Sequence, residues 1–429
     1  MQLIRKCDPR TVDSIELGKD EYVDYLYGCF RFDNPLADGF KTERKALLIA
    51  NPKKNLIINV PESLRIQLPS DKKVVDTDMF RLEAIGEDRD SMHLLTMRAG
   101  WNQNERDINR IIDLDPEGAF CVKLSGDNFD IPIGTCVVSP LGKKNTWIGM
   151  ILVHPELRRQ GIATDMMLKC ISYAIDGGKV INGLDATPMG NTVYINVGYI
   201  GTFRIWRSVF QLEEFAEGKP ERCKPIDENI LDEVIRYDAS CFMERENVLK
   251  ALYYDSDGDA YYYPGDDGEI SGYVFGRPGR IRAFVGPMMA DSKEAADDLM
   301  AAVGSSLYKK GFKESFIDTP EIWFDDKGEY DTKVFDQVNK PKDHCLIKSA
   351  VPVRDFLRMY QAVDYRDAER LTTVYAEKYK LSTNDPRMIK FAEIMNKSVY
   401  NYTETIGFME YEKNVLQKKL WGTTGPEKG

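Results

Sequence analysis

The sequence predicts an α/β protein built from tandem domains, each with a mixed central sheet flanked by helices, behind an N-terminal extension. A chain of 429 residues is long enough for two or three domains with sizeable cores. Apolar runs typical of buried strands alternate with helical apolar patterns over residues 80–210. A similar order of helical segments, strands, a helix and a further strand returns after residue 228. This repetition favours two related domains.

The composition excludes several other classes of protein. Hydrophobic residues make up 43% of the chain and charged residues 30%, as in ordinary soluble globular proteins. The 32 glycines and 20 prolines follow no period, which excludes a collagen-like or low-complexity chain. No apolar run approaches the roughly 20 residues that a membrane-spanning helix requires, so we expect no membrane partner.

The charge balance argues against nucleic acid as a partner. The chain has 58 basic and 69 acidic residues, a formal net charge of −11, which repels a phosphate backbone. The same field attracts a cationic or amine-bearing ligand, although an acidic balance is also a common way to stay soluble.

The cysteines and histidines indicate a reduced protein without a metal site. The eight cysteines include no Cys-x-x-Cys pair, and the three histidines are too few for a multi-histidine metal centre. The first residues, MQLIRKCDPRTVDS, contain no apolar segment of a secretory signal. We therefore expect reduced thiols, no metal and a cytoplasmic location.

The pattern divides the chain into three regions. Residues 1–78 form an extension to which the sequence assigns no role, residues 79–215 a first domain, and residues 225–429 a second domain. The polar stretch 211–226 is predicted to link the two domains. Within the second domain, residues 321–395 depart from the repeated pattern, and residues 355–380 have the spacing of an amphipathic helix.

One strand-to-helix connection is the most informative part of the sequence. The apolar run WIGMILV, residues 147–153, predicts a buried strand, and an apolar stripe from Gly161 to Gly177 predicts a helix. The basic loop between them directs backbone N–H groups and the positive end of a helix dipole at one point, as in pyrophosphate sites. A plain turn with an exposed arginine pair fits the same geometry.

Two motifs give this region a family resemblance. The Val153 strand end and the His-Pro-Glu turn precede Arg158, Gly161 and Ala163, which fit the pattern Arg/Gln-x-x-Gly-x-Gly/Ala. About one helix and one strand later, Tyr194 precedes Gly198-Tyr199. In this order the two motifs resemble the phosphate-binding loop and the Tyr-x-x-x-Gly-aromatic signature of the GNAT acetyltransferase superfamily.

The resemblance extends to tandem GNAT proteins whose second domain is a degenerate copy. The copy has Gly286-Pro287 where a coenzyme loop would need the phosphate-binding pattern, and a proline there removes a donor. Its closing segment TETIGFMEY keeps Gly407-Phe408 but has Thr403 in the position of the tyrosine. The resemblance therefore implies a second domain that binds no coenzyme.

For the first domain the resemblance implies acetyl-CoA as co-substrate. The pantetheine would pair with the main chain of the strand, and the pyrophosphate would lie on the N–H groups of the loop. The implied coenzyme-binding residues are Leu152, Val153, Arg158, Arg159, Gln160, Gly161, Ile162, Ala163 and Thr164. For Arg159 and Gln160, simple solvent exposure is an equal alternative.

The resemblance also implies direct transfer of an acyl group to an amine. Tyr194 would protonate the departing thiolate, with a tyrosine packed on the sheet as the alternative, and an N–H near Met150 would steady the oxyanion. The proton acceptor stays open among four acids: Glu105, Asp107, Glu156 and Asp185.

The sequence thus predicts an acyl-CoA-dependent N-acyltransferase acting on a small-molecule or peptide amine. The alternative is a catalytically silent acyl-CoA-binding sensor or scaffold. An O-acyl acceptor is compatible with the same site, and the oligomeric state stays open.

Overall fold

A computed structural model describes residues 14–16, 57–59, 80–86, 88–126, 129–154, 157–218, 220–320, 347, 349–412 and 419–423. The extension predicted over residues 1–78 lies outside this part, apart from two short parallel strands, β1 Ser14–Glu16 and β2 Ile57–Asn59. The contacts divide the chain into two compact units, Met1–Val137 with Met150–Met167, and Val138–Gly149 with Leu168–Gly429.

The first unit contains the elements that open the first predicted domain. They are β3 Phe80–Ala84, α1 Arg89–Arg98, α2 Glu105–Asp113, β4 Ala119–Gly126, and parts of β5 Phe129–Leu141, β6 Asn145–Val153 and α3 Ile162–Asp176. Strands β3, β4 and β5 pair antiparallel in that order. Their apolar side chains meet those of the helices in one buried cluster, which includes Met92, Ile108, Ile111, Ile112 and Met150.

Helix α2 illustrates how the sequence sets these elements. The side chain of Asn104 accepts a hydrogen bond from the N–H of Asp107, and the Asp107 carboxylate accepts one from the N–H of Asn104. This reciprocal cap satisfies donors that the first helical turn leaves free. The buried residues Ile108, Ile111 and Ile112 then lie on one face, as their spacing predicts.

The second unit contains the remaining helices and strands. The elements of the first half that close it are β7 Ile181–Ala186, α4 Asn191–Ile195 and β8 Tyr199–Gln211. They are followed by β9 Lys224–Pro225, α5 Glu228–Cys241, α6 Glu246–Asp255, β10 Ala260–Pro264, β11 Ile270–Arg277, β12 Ala283–Ala290, α7 Lys293–Lys309, β13 Glu314–Pro320, β14 Val351–Gln361, α8 Tyr365–Tyr379, α9 Pro386–Ser398, α10 Tyr402–Tyr411 and β15 Leu420–Gly422.

The two halves of the chain repeat one order of elements. The series β3-α1-α2-β4-β5-β6-α3-β7 in the first half corresponds to β9-α5-α6-β10-β11-β12-α7-β13 in the second. In the second unit the strands are neighbours in the order β6-β7-β14-β8-β13-β12-β11-β10-β9, and β15 pairs with β12. The predicted mixed α/β tandem architecture is therefore confirmed.

The helix predicted over residues 355–380 is wrong in its first part. Residues 351–361 form strand β14, which pairs antiparallel with β7 on one edge and with β8 on the other. The buried residues Phe356, Met359 and Tyr360 have the three- and four-residue spacing of a helical stripe, which explains the error. Helix α8, Tyr365–Tyr379, confirms the predicted helix in the rest of this segment.

The segment predicted as a linker contains buried residues. Leu212–Phe215 form a short 3₁₀ helix, and Leu212 and Phe215 pack into the apolar cluster around helix α7. Gly304 in α7 permits this approach, since a Cβ there would lie 2.6 Å from the Phe215 ring. Two apolar side chains within a polar stretch are a weak sequence signal, and the domain boundaries stay a prediction.

Gly183 in β7 provides a test of this packing. A Cβ at this position would collide with the buried Trp147 ring and lie 2.8 Å from the Tyr360 ring. We expect Gly183→Ala to destabilise the protein by roughly 1–3 kcal/mol through overpacking, measured as a lowered midpoint in urea. Gly407→Ala is the control, because Gly407 lies in helix α10 with open space around its Cβ position, so alanine should be neutral or stabilising. An unchanged midpoint for Gly183→Ala would contradict this packing.

Candidate active site

Strand β6 contains a local distortion close to its end. Met150 has a φ of 55°, a left-handed conformation that is strained for a residue with a long side chain. The Thr135 hydroxyl donates a hydrogen bond of 3.0 Å to the Met150 carbonyl, and the His154 N–H donates one of 2.7 Å to the Ile133 carbonyl. Strand β5 thus holds β6 at the distortion and again just after the end of β6. Such irregularities in strands are common beside active sites.

The pairing of β6 with β7 is short. The parallel register joins only Asn145–Trp147 of β6 to Ile181–Gly183 of β7. Among the described strands, β6 has β5 and β7 as its neighbours. Beyond Trp147, the described residues give β6 no strand partner on the edge opposite β5. Leu152 and Val153 lie on this part of the strand.

The connection from β6 to α3 turns through two left-handed residues. Arg159 has a φ of 70° and Gly161 a φ of 87°. Glycine adopts this conformation without strain, whereas arginine does so at a cost of about 1 kcal/mol or more. The Arg158 Nε donates a hydrogen bond of 3.2 Å to the Val153 carbonyl and so ties the turn to the end of β6.

The turn leaves a row of backbone donors free. We call residues 159–163 the amide bend. Within the part of the chain that the structure describes, the N–H groups of these five residues have no hydrogen-bond acceptor. The next two N–H groups, of Thr164 and Asp165, both donate to the Gly161 carbonyl. Consecutive free N–H groups at the start of a helix attract anions.

The residues predicted to bind the coenzyme lie close together in the sequence, within the first unit. They occupy the end of β6, the amide bend and the first turn of α3. Leu152, Ile162 and Thr164 are buried, whereas Arg159 is exposed. The remaining five residues are half-buried: Val153, Arg158, Gln160, Gly161 and Ala163. Pro155 and Glu156, which the motif also includes, lie outside the described residues.

Tyr194 lies in the second unit, on the short helix α4. It is 8% exposed, and its ring packs over Gly190, where a Cβ would lie 2.9 Å from the Tyr194 hydroxyl. Gly198, with a φ of 88°, ends the turn after the helix, and Tyr199 begins β8. The Tyr194 and Tyr199 ring centroids are 6.3 Å apart, and burial raises the pKa of Tyr199 well above its usual range.

The candidate proton acceptors differ in their surroundings. Asp107 is buried, caps helix α2 and forms an ion pair with Arg110. Asp185 is held by Arg358 in a bidentate ion pair, with distances of 2.9 and 3.1 Å. Both acids therefore have structural partners. Glu105 is exposed at the start of α2.

The Asp185 pair belongs to a buried ionic cluster that sequence reasoning missed. Arg358 also donates to the Glu412 carboxylate at 3.1 Å, and the Tyr360 hydroxyl donates to the same oxygen at 2.6 Å. The guanidinium lies 4.7 Å from the centre of the Trp147 ring. Arg358 was concealed within the segment predicted as a helix, and no motif marks Glu412. The cluster joins β7, β14 and the end of α10.

Glu412 has an unusual protonation equilibrium. Burial raises its pKa from the ordinary value of 4.5 to about 7, although Arg358 and Tyr360 act in the opposite direction. Its second carboxylate oxygen is buried and has no hydrogen-bond partner among the described residues. A protonated carboxyl is favoured in such surroundings.

The second half differs at the point that corresponds to the amide bend. Gly286-Pro287 was expected in a loop, but both residues lie inside strand β12, and only Asp291 and Ser292 connect this strand to helix α7. The Ser292 hydroxyl accepts the N–H of Ala295. Residues 403–411 were expected to close the copy, but they lie within helix α10, with Gly407 in its interior. The connection from β12 to α7 is therefore much shorter than the connection from β6 to α3.

Comparison with protein families agrees with these two halves. A family model described as the acetyltransferase (GNAT) family matches residues 87–192, and one described as an acetyltransferase (GNAT) domain matches residues 234–322. Two GNAT-type domains therefore follow one another along the chain, which is a tandem GNAT-type protein. Comparison with curated proteins gives no significant match.

Several solved structures are similar to this chain to different degrees. A putative acetyltransferase from Pyrococcus horikoshii is 20% identical with a TM-score of 0.50, covering 66% of this chain and 89% of its own. A GCN5-related N-acetyltransferase from Kribbella flavida is 18% identical with a TM-score of 0.40, covering 66% and 71%. A tandem GNAT protein from the clavulanic acid biosynthesis pathway is 12% identical with a TM-score of 0.41, covering 66% and 98%.

The described residues offer neither a metal-binding cluster nor a membrane-spanning helix. Within the described residues, His, Cys, Asp and Glu side chains form no group of three or more that could hold a metal ion. The helices of the same residues include none that combines the length and apolar character needed to cross a bilayer.

The Glu412 environment predicts a pH dependence of stability. Because the pKa is raised in the folded state, the folded chain binds this proton more tightly than the unfolded chain. The stabilisation is complete below about pH 4.5 and is lost as the pH rises through about 7. We expect Glu412→Gln to flatten this part of the profile of thermal midpoint against pH, whereas Glu410→Gln, at an exposed position, should leave it unchanged. If the profiles of Glu412→Gln and wild type run parallel, the pH dependence of stability does not come from the raised pKa of Glu412.

Proposed function

We propose that the chain is an acyl-CoA-dependent N-acetyltransferase that transfers the acetyl group of acetyl-CoA directly to an amine, with the active site in the first domain. The observation that carries this proposal is the amide bend, with its five free N–H groups directly after β6. The two matches to GNAT family models support the reaction class, and the free N–H groups of the bend support a diphosphate site there.

The residues around the bend suit a coenzyme. The N–H groups of residues 159–163 would donate to diphosphate oxygens, and the positive end of the α3 dipole would add to the attraction. Arg158, just before the bend, and Arg159, its first residue, contribute positive charge. Gly161 allows the close approach that a side chain would prevent. The pantetheine amides would pair with the main chain of β6 near Leu152 and Val153.

The reaction follows from the chemistry of a thioester and an amine. A free alkyl ammonium has a pKa of about 10.4, so the acceptor must lose a proton before it attacks. A C–N bond then forms at the thioester carbonyl, and the N–H of a residue between Met150 and Leu152 steadies the oxyanion. The C–S bond breaks as Tyr194 donates its hydroxyl proton to the departing thiolate, and the new amide nitrogen gives up its extra proton, which returns through water to the tyrosinate.

The ion pairs of two candidate acids narrow the choice of the group that accepts the proton of the amine. Asp107 and Asp185 are already engaged with Arg110 and Arg358, which favours Glu105 or Glu156, acting through water, as the proton acceptor. We infer a small-molecule or peptide amine as acceptor, since the net charge of −11 favours a cationic partner. The free thiols of the described cysteines are compatible with a cytoplasmic location.

The role of Tyr194 is tested by removing its hydroxyl. Tyr194→Phe should lower turnover by ~10²-fold or more while the affinity for acetyl-CoA stays unchanged, as expected for a general acid. The measurement is thiol release from acetyl-CoA with a panel of amines, together with calorimetric binding of the coenzyme. Tyr199→Phe is a matched control, because the Tyr199 hydroxyl is buried without a partner in the described chain and contributes no proton. Full turnover of Tyr194→Phe would remove this residue from the mechanism.

Tight binding of acetyl-CoA by wild type without any amine-dependent thiol release would favour the sensor alternative.

The amide bend is tested by Gly161→Glu. A carboxylate and its bulk at this point should weaken acetyl-CoA binding by roughly 100-fold or more. Gly178→Glu is the matched control, since Gly178 has a φ of 71° just after the other end of helix α3 and therefore the same backbone penalty. We expect the control to bind normally. Equal coenzyme affinity in the two variants would count against the bend as the diphosphate site.

A further inference from the structure

The second half contains a gap between two strands that corresponds to the free edge of β6. Strand β12 pairs in parallel with β13 over only three residues, Ala283–Val285 with Ser315–Ile317. The β6–β7 pair has the same length of parallel register, and both β6 and β12 lead into a helix. We call the gap between β12 and β13 beyond Val285 and Ile317 the second slot.

The second slot is filled by the chain itself. Strand β15 pairs antiparallel with β12, with Gly422 opposite Met288 and Leu420 opposite Met289. On the other side, the Thr423 N–H donates a hydrogen bond of 2.8 Å to the Asp318 carbonyl of β13. The segment therefore bridges both diverging strands, as an extended ligand would.

The fit between the segment and the slot is close. Leu420, Thr423, Met288 and Met289 are all buried. Gly286, with a φ of 142°, stands where the strands diverge, and a Cβ there would collide with the Thr423 carbonyl oxygen. A glycine at this position is therefore required by the segment that occupies the slot.

Charge at the mouth of the slot also opposes a coenzyme. Asp291 follows β12 directly, at the place that corresponds to the amide bend. Its carboxylate forms an ion pair of 2.9 Å with Lys419, at the start of the bridging segment, and accepts a hydrogen bond of 2.8 Å from the Tyr237 hydroxyl. A carboxylate at this position repels a diphosphate, and the positive charge that balances Asp291 comes from Lys419 of the same chain.

We propose that residues 419–423 are a permanent internal occupant of the second slot, so that the chain binds one acyl-CoA, in its first domain alone. This inference rests on the proposed function for the first site. The occupant provides the strand hydrogen bonds that a pantetheine arm would make, and Lys419 provides the positive charge that would otherwise be missing beside Asp291.

The stoichiometry of coenzyme binding tests the inference on the full-length chain. Calorimetry with coenzyme A should give one equivalent for wild type and for Gly178→Glu, and binding weakened by roughly 100-fold or more for Gly161→Glu. Two equivalents for wild type, of which Gly161→Glu keeps one at full affinity, would overturn the inference and leave the proposed function standing. A single wild-type equivalent that Gly161→Glu keeps at full affinity would count against the amide bend, and so against the proposed function and the inference that rests on it. No binding to wild type would overturn the proposed function and with it the claim about coenzyme number.

Amide hydrogen exchange tests the occupant independently of the coenzyme. In wild type without coenzyme, the Thr423 amide should exchange as slowly as the core amides of β12. Leu420→Asp should speed this exchange by roughly 100-fold or more, whereas Ile389→Asp, at an exposed position, should not. Rapid exchange of Thr423 in wild type, or no change in Leu420→Asp, would show that the slot has no permanent occupant. If Leu420→Asp does not fold, the wild-type exchange rate decides.

Discussion

Two strands of this protein lose their parallel partner partway along their length, and the backbone groups that become exposed must be satisfied by something else. Strand β6 is paired with β7 as far as Trp147, and strand β12 with β13 as far as Val285. Unpaired N–H and C=O groups on a strand edge readily accept another extended chain. Strand β12 receives β15, whereas the described residues add no such strand to β6 beside the amide bend. The functional difference that we propose between the halves follows from which edge the chain fills.

The amide bend complements the open edge of β6. Free N–H groups at residues 159–163 follow directly from the conformation of the turn, because left-handed residues at Arg159 and Gly161 direct the backbone away from internal acceptors. In the proposed function, a diphosphate would satisfy these donors, and a thioester arm along β6 would extend the contact towards Met150. The site is thus defined more by backbone geometry than by side-chain identity.

Buried ion pairs join neighbouring strands of the second unit. Arg358 on β14 pairs with Asp185 on β7, and Arg207 on β8 pairs with Asp318 on β13 at 2.7 and 2.6 Å. The desolvation of such charges offsets most of their attraction, so their contribution to net stability is small. Removing one partner, however, would leave a charge buried without compensation. These pairs therefore specify which strands are neighbours.

Most of the repeated elements could be predicted from sequence because their patterns are long and regular. The alternation of strands and helices around the WIGMILV strand, and the stripe on α3, matched the structure closely. Strand β14 was missed because Phe356, Met359 and Tyr360 imitate helical spacing. Strand β15 was missed because three residues carry no periodicity. The positive φ of Arg159 and the ionic partner of Asp185 depend on tertiary contacts that no local pattern contains.

The most direct test of the account is a crystal structure of the chain with coenzyme A bound. The account predicts diphosphate oxygens within hydrogen-bonding distance, about 2.7–3.2 Å, of backbone nitrogens between residues 159 and 163. It also predicts Leu420–Gly422 unchanged beside β12. Coenzyme bound elsewhere, with the nitrogens of the amide bend facing solvent, would contradict it.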